Sequence, residues 1–205
     1  SYTGETHAYP GAAHPEWVQS FTYPFAVEFC PGENHTIPKP AGYEYFRDTQ
    51  PYTFNLYYVH QGCKRFPVFP TGEVPKTFWI CRRLNDAELF ADAAYPNDIA
   101  MINWPGNDCD RQNLIDKPWA EQLRIREEAK LLSLGLLYWL QTEAPRDDGG
   151  HGYPELKLRP DVMGTEDGLS KYPYIRESRR IRAEVTVREE DLARFARPGQ
   201  ARAKR

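Results

Sequence analysis

The chain has 205 residues, 40% of them apolar and 14% aromatic, enough for one sizeable core and too much to leave it disordered. A formal net charge of −3 argues against a general nucleic-acid binder, which needs a basic surface for phosphates. The densest apolar run, residues 131–140, is about half of what a bilayer-spanning helix needs, and no signal-peptide pattern is visible, so a soluble cytoplasmic protein without membrane contact is expected.

Residues 1–20 are polar, carry Pro10 and Pro15, and read as an irregular lead-in. Over residues 21–29, Phe21, Tyr23, Phe25, Val27 and Phe29 alternate with Thr22, Pro24, Ala26 and Glu28, which predicts a strand. Pro24 has no N–H for a ladder, so an edge position or a bulge is expected there. Six Pro or Gly residues across 31–51 predict a long loop of the lid or wrapping kind. Residues 52–59, 77–82 and 98–103 read as three further strands on their aromatic and β-branched content.

One long helix is predicted from a cap at Asp116, through Pro118 in its first turn, to about residue 143, before Pro145 stops it. Its second half, from Leu131 to Leu140, is apolar on nearly every side and must be buried or covered by a partner. Residues 145–173 form a Gly- and Pro-rich loop. A fifth strand, 180–188, places Ile181, Ala183, Val185 and Val187 on one face and Arg182, Glu184, Thr186 and Arg188 on the other. Residues 176–205 carry ten Lys or Arg against five Asp or Glu, the composition of a solvated end, and 189–205 is expected to be irregular. The expected fold is α+β, a single domain over 1–205 with a mixed or antiparallel sheet of about five strands and one long helix packed on it.

Cys30, Cys63, Cys81 and Cys109 are widely spaced and form neither a Cys-x-x-Cys pattern nor a disulfide framework. Free thiols in a reducing compartment are expected. The five histidines show no metal-ligand spacing, and no metal is expected. His151, between Gly150 and Gly152, suits a solvated loop.

The segment Arg176-Glu177-Ser178-Arg179-Arg180 packs three arginines and a glutamate into five residues at the entrance of the predicted fifth strand. Guanidinium groups pinned in this way suit a planar anion such as a carboxylate, a phosphate or a reduced flavin. On local chemistry alone, ion pairs between neighbouring elements are the favoured reading of the same residues. Glu177, between Arg176 and Arg179, is expected to be ionised and to orient the arginines rather than act as a base. Asn103-Trp104-Pro105-Gly106-Asn107-Asp108 follows a predicted strand, where polar side chains either line a site or make the turn itself.

The stretches Gly164-Thr165-Glu166-Asp167-Gly168 and Tyr174-Ile175-Arg176-Glu177-Ser178-Arg179-Arg180-Ile181 resemble the signature of a family of bacterial FAD-dependent oxidoreductases, large flavoproteins with a nucleotide-binding domain and an inserted substrate domain. Thr3-Gly4-Glu5, Gln19-Ser20-Phe21-Thr22 and Asn103 to Asp108 are similar to that family in the same order. No Gly-x-Gly-x-x-Gly occurs among the fourteen glycines, so the chain resembles the family's middle, substrate-domain portion, and its start at Ser1 fits a fragment or a processed product.

The resemblance implies FAD as cofactor, a small-molecule substrate oxidised at a C–H bond by hydride transfer to the flavin, and an FAD-binding domain on the same or a companion polypeptide. It implies substrate- or flavin-proximal roles for Arg176, Glu177, Ser178, Arg179, Arg180, Asn103, Asn107, Asp108, Gly164 and Thr165, with no catalytic base evident. A stand-alone anion-binding module and an interaction domain docking through the apolar helix are the alternatives.

Overall fold

The computed structural model describes residues 18–49, 54–58, 64–70, 77–90, 96–176 and 184–185. The predicted first strand forms as two. β1 (Phe21–Thr22) and β2 (Phe25–Phe29) are separated at Tyr23 and Pro24 and enter different sheets, both as inner strands. The proline without an N–H is thus met by a break in the strand rather than by the expected edge position or bulge. β1 is the middle strand of a three-stranded sheet, between β7 (Asp108–Cys109) and β9 (Tyr174–Ile175). β2 sits inside a four-stranded sheet ordered β5 (Arg83–Asn85), β6 (Ile99–Ile102), β2, β8 (Leu156–Leu158). β3 (Tyr57–Tyr58) and β4 (Lys64–Arg65) form a separate pair. All described pairings are antiparallel, and the fold is α+β.

The alternation expected along 21–29 does not divide core from solvent. Ala26 and Glu28 are buried like Phe25 and Val27, because both faces of β2 are covered, and Thr22 on β1 is buried as well. Glu28 is a buried carboxylate and is paired accordingly: Arg159 donates to Oε2 at 2.8 Å and Asn97 Nδ2 to Oε1 at 3.0 Å.

The long helix α3 (Trp119–Thr142) carries the core. Ile125, Ala129, Leu132, Leu136, Leu137 and Leu140 are each at most 1% exposed, and full burial of each of the leucines and the isoleucine contributes about 1.5–3 kcal/mol. The apolar half is therefore covered within the chain. At Gly135 a Cβ would stand 3.2 Å from the Phe54 ring, so the absent side chain is what lets Phe54 lie on the helix. The helix begins two residues later than expected. Pro118 occupies the N-cap position, while Asp116 adopts a left-handed φ of 57° and is not the cap.

Three loops or strands of the sequence reading take another form. The 77–82 segment is a helix, α2 (Phe78–Arg82), because Thr77 accepts the Ile80 N–H at 3.2 Å and the turn buries Phe78 and Trp79. That cap and burial outweigh the local strand preference. The 31–51 loop contains α1 (Tyr43–Thr49), which lays Tyr43 and Phe46 against the core. The 145–173 loop contains β8 and the short helix α4 (Pro160–Met163). Of the expected 52–59 strand, only Tyr57 and Tyr58 are in strand among the described residues. Most of the expected 180–188 strand lies outside the described residues. Glu184 and Val185 form a bend, with Val185 80% exposed rather than on a buried face. Among the described residues no helix is long and apolar enough to cross a membrane.

Candidate functional site

The three-stranded sheet builds one polar cluster from three distant stretches. β1 pairs on one side with β7, Thr22 opposite Asp108, and on the other with β9, Thr22 opposite Tyr174. Arg176 leaves β9 just past this register and reaches back across β1. Its Nη1 donates to Asp108 Oδ1 at 2.9 Å, to the Ser20 carbonyl at 3.1 Å and to Ser20 Oγ at 3.2 Å. Nη2 reaches Asn103 Oδ1 at 3.5 Å. The Thr22 hydroxyl donates to the same Asp108 oxygen, and the Arg176 guanidinium lies 5.5 Å from the centre of the Tyr174 ring. The Asp108 and Arg176 side chains are 14% and 26% exposed, so solvent screens this pair less than a surface pair.

Asp108 is positioned by the turn before it. Residues Pro105–Asn107 make a single 3₁₀ turn in which Asn107 Oδ1 accepts the Trp104 N–H at 2.9 Å. Asn107 Nδ2 donates to the Tyr23 carbonyl at 3.4 Å and to Ser133 Oγ on α3 at 3.3 Å. Asn107 is completely buried, so it clamps the turn to the helix and faces the interior.

Gly164 and Thr165 belong to a different corner. Gly164, at φ 67°, is the left-handed stop of α4, its N–H bonded to the Pro160 carbonyl at 2.8 Å. The Thr165 hydroxyl donates to the Leu169 carbonyl at 2.5 Å. Lys130 on α3 ties this loop down through Asp167 at 2.8 Å. Among the described residues no hydrogen bond joins Gly164 or Thr165 to the Arg176 group. Glu177, Ser178, Arg179 and Arg180 lie outside the described residues.

The structure thus brings together Arg176, Asp108 and Asn103 of the expected set and adds Ser20 and Thr22. Those two were not assigned to the site, although the Gln19–Thr22 stretch carried part of the resemblance. Cys109, next to Asp108 on β7, points the other way, as successive strand residues must. It lines a cavity of about 310 Å³ together with Tyr45, Phe46, Arg111, Arg124 and Leu132. Arg111 donates to the Tyr45 hydroxyl at 3.3 Å, and Arg124 to Glu128 and Gln112.

A dinucleotide pyrophosphate is ordinarily held by a glycine-rich turn that opens a helix. The glycine-rich turn here, Gly149 to Gly152, closes a hairpin instead, with Pro145 bridged to His151 and the Gly152 N–H bonded to Ala144 at the end of α3. This turn therefore does not offer the helix-opening phosphate cradle that the nucleotide half of FAD ordinarily uses.

What the fold and cluster define is an α+β domain that anchors the entrance of an arginine-rich segment to a sheet. The family model described as FAD dependent oxidoreductase matches residues 33–203, and the chain belongs to that family. No curated protein and no solved structure matches it.

Proposed function

We propose that the chain is the substrate-side portion of an FAD-dependent oxidoreductase that oxidises a C–H bond of a small molecule. The observation that carries this reading is the meeting of Ser20 and Thr22, Asn103 and Asp108, and Arg176 in one hydrogen-bonded cluster. These are the same separated stretches in which the sequence resembles flavoproteins, and the family match spans two of them.

In this reading a nucleotide-binding domain on the same or a companion polypeptide would hold FAD, which would supply the hydride acceptor for the substrate's C–H bond. Arg176 is neutralised by Asp108 and acts as a positioning residue: it fixes where the chain leaves β9. Arg179 or Arg180 then holds an anionic substrate group or the negative end of the reduced flavin. Tyr172, Tyr174 and Ile175, all exposed beside Arg176, suit contact with the companion domain.

Titrating the purified chain into FAD and following flavin fluorescence tests this division of labour. No stoichiometric binding at micromolar concentration is expected. Stoichiometric binding by this chain alone would overturn the assignment of the dinucleotide to another domain.

A further inference from the structure

We infer that the turn from Cys30 to His35 is a binding site for a borderline-soft divalent cation of the zinc type. Cys30 Sγ, a Glu33 carboxylate oxygen and a His35 ring nitrogen all lie within 4.8 Å of one another. His35 Nε2 is 2.5 Å from Glu33 Oε2. Bonds of about 2.0–2.3 Å in a zinc tetrahedron set neighbouring ligand atoms about 3.3–3.6 Å apart. A cation therefore fits by small side-chain rotations, the Glu33 oxygen moving slightly away from His35 while the thiolate closes on both.

The backbone that carries these ligands is already fixed. The Cys30 N–H donates to the Glu155 carbonyl at 2.9 Å, the Glu33 N–H to the Cys30 carbonyl at 3.1 Å, and the His35 N–H to the Pro154 carbonyl at 2.8 Å. The His35 carbonyl accepts Gln141 Nε2 at 2.7 Å, and Gly32, at φ 80°, makes the turn. Only side chains need to adjust, so little ordering entropy opposes binding.

A second observation points to the sulfur as a ligand. Asn97 Nδ2 lies 3.9 Å from Cys30 Sγ while holding Glu28 at 3.0 Å. An amide N–H aimed at sulfur is the kind of outer contact that orients a metal thiolate. Glu33 and His35 side chains are 61% and 25% exposed, which leaves an approach from solvent, with Cys30 on the buried side. Thiolate and imidazole select zinc-class ions over magnesium or calcium. Three protein ligands leave a fourth position for water, and the Cys30 proton is released to solvent on binding. The Cys-x-x-Glu-x-His spacing escapes a search for paired cysteines or histidines because one ligand is a carboxylate.

The test uses the whole 205-residue chain, reduced, treated with chelator and titrated with cobalt(II). One equivalent is expected to bind with a sulfur-to-cobalt charge-transfer band in the near ultraviolet, and zinc chloride should displace it. Cys30→Ser should abolish the band, whereas Cys63→Ser combined with Cys81→Ser should leave it. Asn97→Ala should weaken cobalt binding about 10- to 100-fold. His35→Gln, at a half-buried position, should keep the circular dichroism spectrum and bind cobalt more weakly. Absence of the band in the wild-type chain, its survival in Cys30→Ser, or wild-type affinity in folded His35→Gln overturns the site.

Discussion

Arg176 and Asp108 meet at 2.9 Å across a strand that belongs to neither of them. They are 68 residues apart in sequence, and β1 runs between β7, which carries Asp108, and β9, which Arg176 directly follows. The pair therefore locks the order β7-β1-β9, with Thr22 beneath it sharing the same carboxylate oxygen.

If the pair is the lock, its two halves are energetically coupled. Arg176→Ala and Asp108→Ala should each lower stability by about 1.5–3 kcal/mol, the range for a hydrogen bond to a charged group. The double variant should lose less than the sum, with a coupling of about 1 kcal/mol or more. Urea unfolding of the four proteins measures it. Strict additivity would show that the contact holds nothing together.

Gln141 is the corresponding fastener at the other end of the molecule. It is 2% exposed, donates to the His35 and Leu156 carbonyls at 2.7 Å each, and accepts the Ile37 N–H at 3.0 Å. Gln141→Leu leaves these groups without that partner at a cost of about 1–3 kcal/mol for each one that stays buried. A thermal midpoint equal to that of the wild type would mean that water or rearrangement replaces all three bonds.

Asp98 should set part of the acid limb of stability. Burial raises its carboxyl, but the Ala87 N–H at 2.8 Å and Trp79 Nε1 and Arg83 Nη1 at 3.2 Å outweigh that and hold it below the ordinary value of 3.8. Because the folded state binds this proton more weakly than the unfolded chain, the contribution is complete above the ordinary value. It is lost as pH falls through the lower folded one. Asp98→Asn should therefore destabilise the protein at neutral pH, and the gap between variant and wild type should narrow below about pH 4. Denaturant titrations at a series of pH values decide; a gap that widens in acid contradicts the assignment.

The long helix was legible because 24 residues give a periodic pattern room to repeat, with Pro118 and Pro145 marking its ends. Pro24 marks an irregularity through its missing N–H, but the expected edge position or bulge is instead a break, with β1 and β2 each lying between two other strands. β1, β7 and β9 have two residues each, too few for any alternation to register. α2 escapes a local reading because Phe78, Trp79 and Ile80 favour a strand, and the Thr77 cap outweighs that preference only together with burial of the turn. At the site, Arg176 and Asp108 stood out by type, but the roles of Ser20 and Thr22 depend on a pairing register that no local pattern encodes. Asn107 looked like a site residue for the same reason it makes a good turn clamp: its amide bonds backbone in both directions.

Cysteine reactivity separates the buried thiols from the surface. Burial, then Glu128 and Asp110, pushes the Cys109 thiol up to about 12, so almost none of it is thiolate near neutrality. Cys81 is exposed. Under iodoacetamide at mildly alkaline pH, peptide mass spectrometry should show Cys81 modified well before Cys109. Equal rates would mean that the β1–β7 region opens on the timescale of labelling.

The arginines beyond β9 decide between a flavin-side site and a structural clamp. With Arg176 paired to Asp108, Arg179 and Arg180 are the two left to hold an anion in the proposed scheme. Lysine keeps the charge but loses the planar fork that makes two parallel N–H bonds to a carboxylate or a flavin edge. Arg179→Lys and Arg180→Lys should therefore be made in the assembly that contains the FAD-binding domain. At least one should slow turnover by about ten- to a hundredfold, the equivalent of roughly 1.5–3 kcal/mol for one charge-assisted hydrogen bond. Sulfite supplies a readout independent of turnover, because its adduct with the flavin places negative charge on the ring and is favoured by a nearby cation. The variant that slows turnover should also bind sulfite more weakly, while its melting temperature stays at the wild-type value. If both variants keep wild-type turnover and sulfite affinity but melt earlier, residues 176–180 are a structural clamp and the anion is held elsewhere.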